Sequence, residues 1–226
     1  MPSFVVLLRA SAALALTPVV WASVVGAAGA GPLANGDFSA GFDAWSGQVV
    51  SCTLCDGSDD VTTDLTPPPG AFTNNYATGS GSGAGFATIA TSFNSDGLYS
   101  TRLWQEFVVD SLSARATRLL LNYSIDVGLS DPTTDLAIAQ LSDPDGLIAT
   151  LDLLNGGPLD ITAFAGRTAE LYFEVSDFVD GERDWLRVGK LRIDQVPVPA
   201  PLLLMGAGLG LLAVRRRQNA NQSPLA

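Results

Sequence analysis

The sequence predicts an all-β domain, an antiparallel sandwich or barrel, set between two terminal targeting segments. Three observations predict it. Charge is confined to the middle: from Met1 to Ala30 the only charged side chain is Arg9, and from Val196 to Val214 there is none. Between those ends, runs of strand length alternate with Gly, Asp, Asn and Pro. No stretch there keeps a helical apolar period over three turns, so strands are the elements left to form.

In order along the chain, residues 1–30 read as a secretory signal peptide: a weakly basic start at Arg9, an apolar run from Ala10 to Val25, and the cleavage context Ala28-Gly29-Ala30. Residues 31–195 are then the exported domain. Val49 and Val50 read as strand leading into a loop around Cys52 and Cys55, the only two cysteines of the chain. Export permits a disulfide, and a small structural bridge between them is expected, with a redox pair as the alternative. The proline run at Thr66-Pro-Pro-Pro-Gly70 and the glycine-rich Thr78 to Gly85 read as a long loop. Strands are expected over 103–109, 118–125, 135–141, 147–154, 169–175 and 186–193. Leu119, Leu121, Tyr123 and Ile125 alternate onto one face, as do Leu171, Phe173 and Val175. Turn chemistry separates the runs at Asp131-Pro132, Asp143 to Gly146, Asn155 to Pro158 and Asp180-Gly181.

The C-terminal end is the most specific feature. Val196 to Val214 is uncharged and apolar, and Arg215, Arg216 and Arg217 follow directly. Ala200 to Val214 as a helix would reach about 22 Å at ~1.5 Å per residue, short for a ~30 Å hydrocarbon core but able to cross with local thinning. The arginines place residues 218–226 on the cytoplasmic side and the domain outside. A proline-containing motif, a short apolar span and an Arg cluster resemble the PEP-CTERM sorting signal over residues 196–217. The motif here is Val196, Pro197, Val198, Pro199 and Ala200, with Val198 where family members usually carry Glu. The resemblance implies an exosortase-like processing enzyme as partner, tethering in the inner membrane during sorting, and a mature protein at the cell surface or in the extracellular matrix.

The domain resembles jelly-roll sandwiches related to carbohydrate-binding modules. The residues are Asn35-Gly-Asp-Phe38 with Gly41 to Ser46 as an opening strand, Leu103 to Val109 as a Gln-x-Phe strand, and Arg192 to Val196 as a closing strand beside the first. This implies an antiparallel β-sandwich of jelly-roll type. It also makes Asn35, Asp37 and Asp194 a candidate Ca²⁺ set, since oxygen ligands from both chain ends meet there. The same Asn35 and Asp37 equally suit a turn. No other cofactor is required.

Trp45, Trp104, Trp185, Tyr99, Tyr123 and Tyr172 are the aromatic residues able to stack on sugar rings or to pack a core. Trp45 and Trp104 are expected inside, and Trp185, amid Asp180 to Asp184, is expected exposed as the carbohydrate-contacting residue. Asp131, Asp135, Asp143 and Asp145 read as solvated loop carboxylates.

All 23 acidic residues fall between Asp37 and Asp194, against eight of the twelve basic ones, a net charge of −15 for the domain. Such a field disfavours nucleic acid. Histidine is absent, which removes Ser-His and Cys-His catalysis and the common zinc sites together. Carboxylate-only glycoside hydrolysis remains open in principle, but the four glutamates, Glu106, Glu170, Glu174 and Glu182, offer no evident acid and nucleophile pair. The expected role is therefore non-catalytic: structural or adhesive, associated with extracellular polysaccharide. A dedicated carbohydrate-binding module is the alternative and a glycosidase the third reading.

Overall fold

The computed structural model describes residues 32–52, 61–65, 75–81, 84–91, 98–178, 182–199 and 205. The described strands are β1 (Ser46–Cys52), β2 (Val61–Leu65), β3 (Tyr76–Gly81), β4 (Ala84–Ala90), β5 (Leu98–Val108), β6 (Ala116–Gly128), β7 (Leu136–Ser142), β8 (Leu151–Asp152), β9 (Leu159–Asp160), β10 (Thr168–Phe178) and β11 (Trp185–Pro197). They form two antiparallel sheets. The six-stranded sheet has the order β2-β1-β5-β10-β7-β8, and the five-stranded sheet β3-β4-β11-β6-β9. The all-β, two-sheet expectation holds.

Period-2 alternation sets what lies between the sheets. Leu103 and Phe107 of β5, Leu171, Phe173 and Val175 of β10, and Leu141 of β7 face Leu119 and Leu121 of β6, Leu186 and Val188 of β11, and Ile89 of β4 across the core. Trp45 is fully buried, stacking on Phe38 at 5.1 Å and tilting against Phe173 at 6.1 Å. Burial of such side chains is the main stabilising term, about 1.5–3 kcal/mol for each large apolar group.

Four expectations change. First, the opening segment is not a strand beside the last one. Residues 35–45 form a turn-rich loop with φ of +48° at Asn35, +52° at Phe38 and +70° at Ala44, and the first strand lies in the opposite sheet from β11. Asn35 holds this loop: its amide donates to the carbonyls of Gly41 and Asp43, and its Oδ1 accepts from the Ala40 N–H. Gln105 closes the loop onto β5 by donating to the carbonyls of Ala34 and Ala44 and accepting from the Ala34 N–H. The loop still touches the last strand, where Leu191 N–H donates to the Gly36 carbonyl.

Second, the glycine-rich stretch is a hairpin, β3 with β4, rather than a long loop. Packing demands its glycines: a Cβ on Gly85 would lie 2.0 Å from the Asp37 carbonyl oxygen. Third, the run expected over 147–154 contributes only β8. Fourth, Trp104 does not enter the core; register with Tyr172 and Ser46 turns it to the outer face of the six-stranded sheet, where it is half-buried.

Beyond the expected domain end at 195, β11 continues through Val196 and Pro197, and Val198 N–H donates to the Arg115 carbonyl at 2.8 Å. No helix among the described residues is long and apolar enough to cross a membrane. Residues 200–204 and 206–226, which hold most of the apolar stretch and Arg215 to Arg217, lie outside the described residues, as do Cys55, the second half of the expected disulfide, and the signal segment.

Candidate functional site

Each sheet has an outer face, and register decides which side chains meet on it. On the six-stranded sheet, Ser46, Trp104, Tyr172 and Gln140 form one cross-strand row over β1, β5, β10 and β7. The next row holds Asp64, Gln48, Arg102, Glu174 and Ile138. On the other side of the rings stand Glu106 and Glu170, direct register partners. Two half-buried aromatic rings thus sit side by side between rows of polar groups.

Glu174 organises the polar row. It is buried at 8% exposure and accepts hydrogen bonds from Ser100 Oγ at 2.6 Å, Arg102 Nε at 3.0 Å, Ser176 Oγ at 3.2 Å and the Tyr172 hydroxyl. The network runs on toward the sheet edge: Arg102 Nη1 donates to Gln48 Oε1 at 2.8 Å, and Gln48 Nε2 donates to Asp64 Oδ1 at 2.7 Å. Burial pushes the Glu174 carboxyl up, yet the Arg102 guanidinium and the hydroxyl donors outweigh it and hold the group below its ordinary value. The Tyr172 hydroxyl is pushed far above its ordinary value, by burial and by the Glu174 charge. Arg102 loses from burial but is raised on balance by its anionic neighbours. Glu170 is raised by burial and by Glu106 opposite. The rings are therefore flanked by fixed donors and acceptors, and the charged groups in these rows are carboxylates except for Arg102, which Glu174 neutralises.

The outer face of the five-stranded sheet is different. Trp185 and Gly128 are register partners on β11 and β6, and Thr88, Arg187 and Asp126 form the next row. Phe86 stands opposite Gly79 and Gly189. The Trp185 ring lies so close over Gly128 that a Cβ there would sit 2.4 Å from Nε1, and the Phe86 ring covers Gly79 equally closely. Arg187 is exposed, its Cζ 4.7 Å from the Phe86 centroid and 5.3 Å from that of Trp185. Trp185, expected exposed, is half-buried on this outer face because its ring packs down on Gly128. Arg187 was not singled out from the sequence, although period-2 alternation from Trp185 places it on the same face.

The remaining sequence candidates separate. Asp37 is exposed and accepts from Ser39 N–H and Oγ, bonds that lower its carboxyl below the ordinary value. Asp194 accepts from Asn122 and from Arg192 at 2.7 Å. With Asn35 these side chains are tied into turn and strand contacts of their own. Among the described residues, the carboxylates that converge are instead Asp135, Asp177 and Asp184, all buried and with one oxygen of each within 4.8 Å of the others. That spacing suits oxygen ligation of a divalent cation. The structure also uses these groups as a junction: Asp135 accepts from Ser130 Oγ, Asp131 N–H and Phe178 N–H, and Asp184 from Ser130 N–H and Oγ. Asp135 and Asp143 are thus buried rather than solvated, while Asp145 is exposed. Tyr123 lies in the core, and Tyr99 packs against it.

No family model matches the chain, and no curated protein does. A solved structure, that of TmCBM61 in complex with beta-1,4-galactotriose, resembles it with a TM-score of 0.39 at 14% identity, over 74% of this chain and 99% of that one. A likeness of that size carries no argument about site or ligand.

Proposed function

We propose that this chain is an exported, non-catalytic surface or matrix protein whose sandwich binds extracellular polysaccharide on the outer face of the six-stranded sheet. The observation that carries the reading is the Trp104 and Tyr172 pair, two adjacent half-buried rings on the outer face of the sheet, bordered by the Glu174 network. Aromatic rings offer flat apolar area to the C–H faces of pyranoses, and fixed polar groups beside them give orientation. Because carboxylates dominate this face, its ligand is a neutral polysaccharide. Export through the N-terminal signal segment, then sorting by an exosortase-like system with Val196 to Ala200 as the recognised motif and Arg215 to Arg217 setting orientation, accounts for the two apolar, carboxylate-free ends of the sequence.

The test is affinity electrophoresis of the chain through gels containing neutral polysaccharides, among them a β-1,4-galactan and a β-glucan. At least one should retard the wild type, and Trp104→Ala should weaken that retardation about tenfold, since stacking by one ring contributes on the order of 1–1.5 kcal/mol. Tyr172→Phe separates the ring from its hydroxyl and should cost less than Tyr172→Ala. Absence of retardation in every neutral gel, or a Trp104→Ala protein that runs like the wild type, would sink the proposal.

A further inference from the structure

We infer that the outer face of the five-stranded sheet is a second, separate carbohydrate site, one that takes a carboxylate-bearing sugar, with Arg187 as the group that reads the anion and the Phe86 and Trp185 rings as its walls. This goes beyond the neutral-glycan face on the opposite sheet and does not depend on it.

The geometry begins with three strands. β4 supplies Phe86 and Thr88, β11 supplies Trp185, Arg187 and Gly189, and β6 supplies Gly128. Each ring lies over a glycine of the neighbouring strand, Phe86 over Gly79 and Trp185 over Gly128, so both are held close to the sheet instead of standing away from it. The guanidinium lies between them at cation–π distance from both. Nε is directed to Thr88 Oγ1 at 3.4 Å. What remains is the terminal edge of the fork, the two Nη groups, whose parallel N–H bonds match a carboxylate.

The described arginines divide into paired and unpaired, and Arg115 and Arg118, like Arg187, form no ion pair among the described residues. Here Arg102 pairs with Glu174, Arg167 with Asp143 and Arg192 with Asp194. Arg187 forms no ion pair among the described residues, although Asp126 is its register partner on β6. Lys190 and Arg192 follow it on the same strand and are exposed. The two outer faces therefore differ in charge: carboxylates outnumber Arg102 on one, whereas the other sets Arg187 and Arg192 among Asp126 and Asp194. The −15 net charge repels polyanions at long range, but that repulsion is screened over ~8 Å at physiological salt, so the contact itself decides binding.

A uronate residue satisfies every part of this arrangement. Its carboxylate fits the Nη edge bidentately, and its ring lies beside Phe86 and Trp185, the two half-buried rings that carry the guanidinium. A neutral sugar would leave the guanidinium without its anion.

The decisive experiment uses the full-length chain in a polyoxyethylene detergent and follows its retardation by polygalacturonate and by the fully methyl-esterified polymer, which has the same backbone with its carboxylates capped. Polygalacturonate should retard the wild type and the ester should not. Arg187→Gln should weaken the interaction at least tenfold. Arg187→Lys, which keeps the charge and loses the fork, should weaken it several-fold. Gly128→Ala should also weaken it by displacing the Trp185 ring, visible as a shift in tryptophan emission. Trp104→Ala should leave it unchanged, which separates this site from the neutral-glycan face. The inference is overturned if the wild type is not retarded, if the ester binds equally, or if Arg187→Gln matches the wild type. It is likewise overturned if Arg187→Gln acts only on a concentration-dependent dimer in sedimentation velocity, for the face would then be a contact between copies.

Discussion

Replacing Glu174 tests the network that orders the six-stranded sheet's outer face. The carboxylate is 8% exposed and accepts from Ser100, Arg102, Tyr172 and Ser176. Glu174→Ala leaves two buried serine hydroxyls, a half-buried phenol and a guanidinium without their acceptor. Each buried orphan costs about 1–3 kcal/mol, and breaking a buried ion pair about 3–5. The Arg102 side chain is 30% exposed and can turn to water, and the hydroxyls can re-aim. A net loss of about 3 kcal/mol is therefore expected, or a fall of about 6–12 °C in Tm for a domain of this size. Glu174→Gln keeps the shape and one acceptor oxygen and should lose about 1–2 kcal/mol. The pH dependence follows in sign. The folded-state carboxyl is held below its ordinary value, so its contribution is complete above the unfolded-state value near ~4.3 and is lost as pH falls through the lower folded-state value. Thermal unfolding followed by circular dichroism at pH 7 and at pH 3 measures both. A Glu174→Ala protein within about 2 °C of the wild type at pH 7 would refute the reasoning, as would a gap between Glu174→Gln and the wild type that does not narrow in acid.

Glu170 should behave in the opposite sense, because burial and Glu106 raise its carboxyl. Glu170→Gln should raise Tm by a degree or two at pH 7 through relief of burial and like-charge repulsion, about 0.5 kcal/mol, and the gain should shrink as pH falls through the raised folded-state value and vanish below the unfolded-state value near ~4.3. Asn35→Ala removes three loop hydrogen bonds and puts a residue less suited to φ of +48° at that position. About 2 kcal/mol should be lost in urea unfolding, with little change in m. For sorting, replacement of Pro197 and Pro199 by Ala should leave export intact and an uncut precursor in the inner membrane, scored by fractionation and mass spectrometry. Processing like that of the wild type would make the segment a plain anchor.

Much of the strand pattern was legible locally. Alternation at Leu119 to Ile125 and at Leu171 to Val175 is a period-2 property of a few residues, and it placed β6 and β10 correctly. The burial of Trp45 was also legible, whereas Trp185, expected exposed, is half-buried over Gly128. The hairpin of β3 and β4 was not, because glycine and serine favour a loop on composition alone. Its glycines answer to partners far away in sequence, the Asp37 carbonyl against Gly85 and the Phe86 ring over Gly79.

From composition and order alone, the chain's acidity, its lack of histidine, its apolar, carboxylate-free ends and the alternation of its longer strands are determined, since these are sums or short-range periodicities. Tertiary structure decided which residues share a face. Trp104 meets Tyr172 and not the core because of the β5 and β10 register. Arg187 meets Phe86 because β11 pairs with β4, and Asp135 meets Asp177 and Asp184 where three strands end together. A one-residue slip in pairing would turn each of these side chains to the opposite face, and no short stretch of sequence carries the information that sets the register between distant strands.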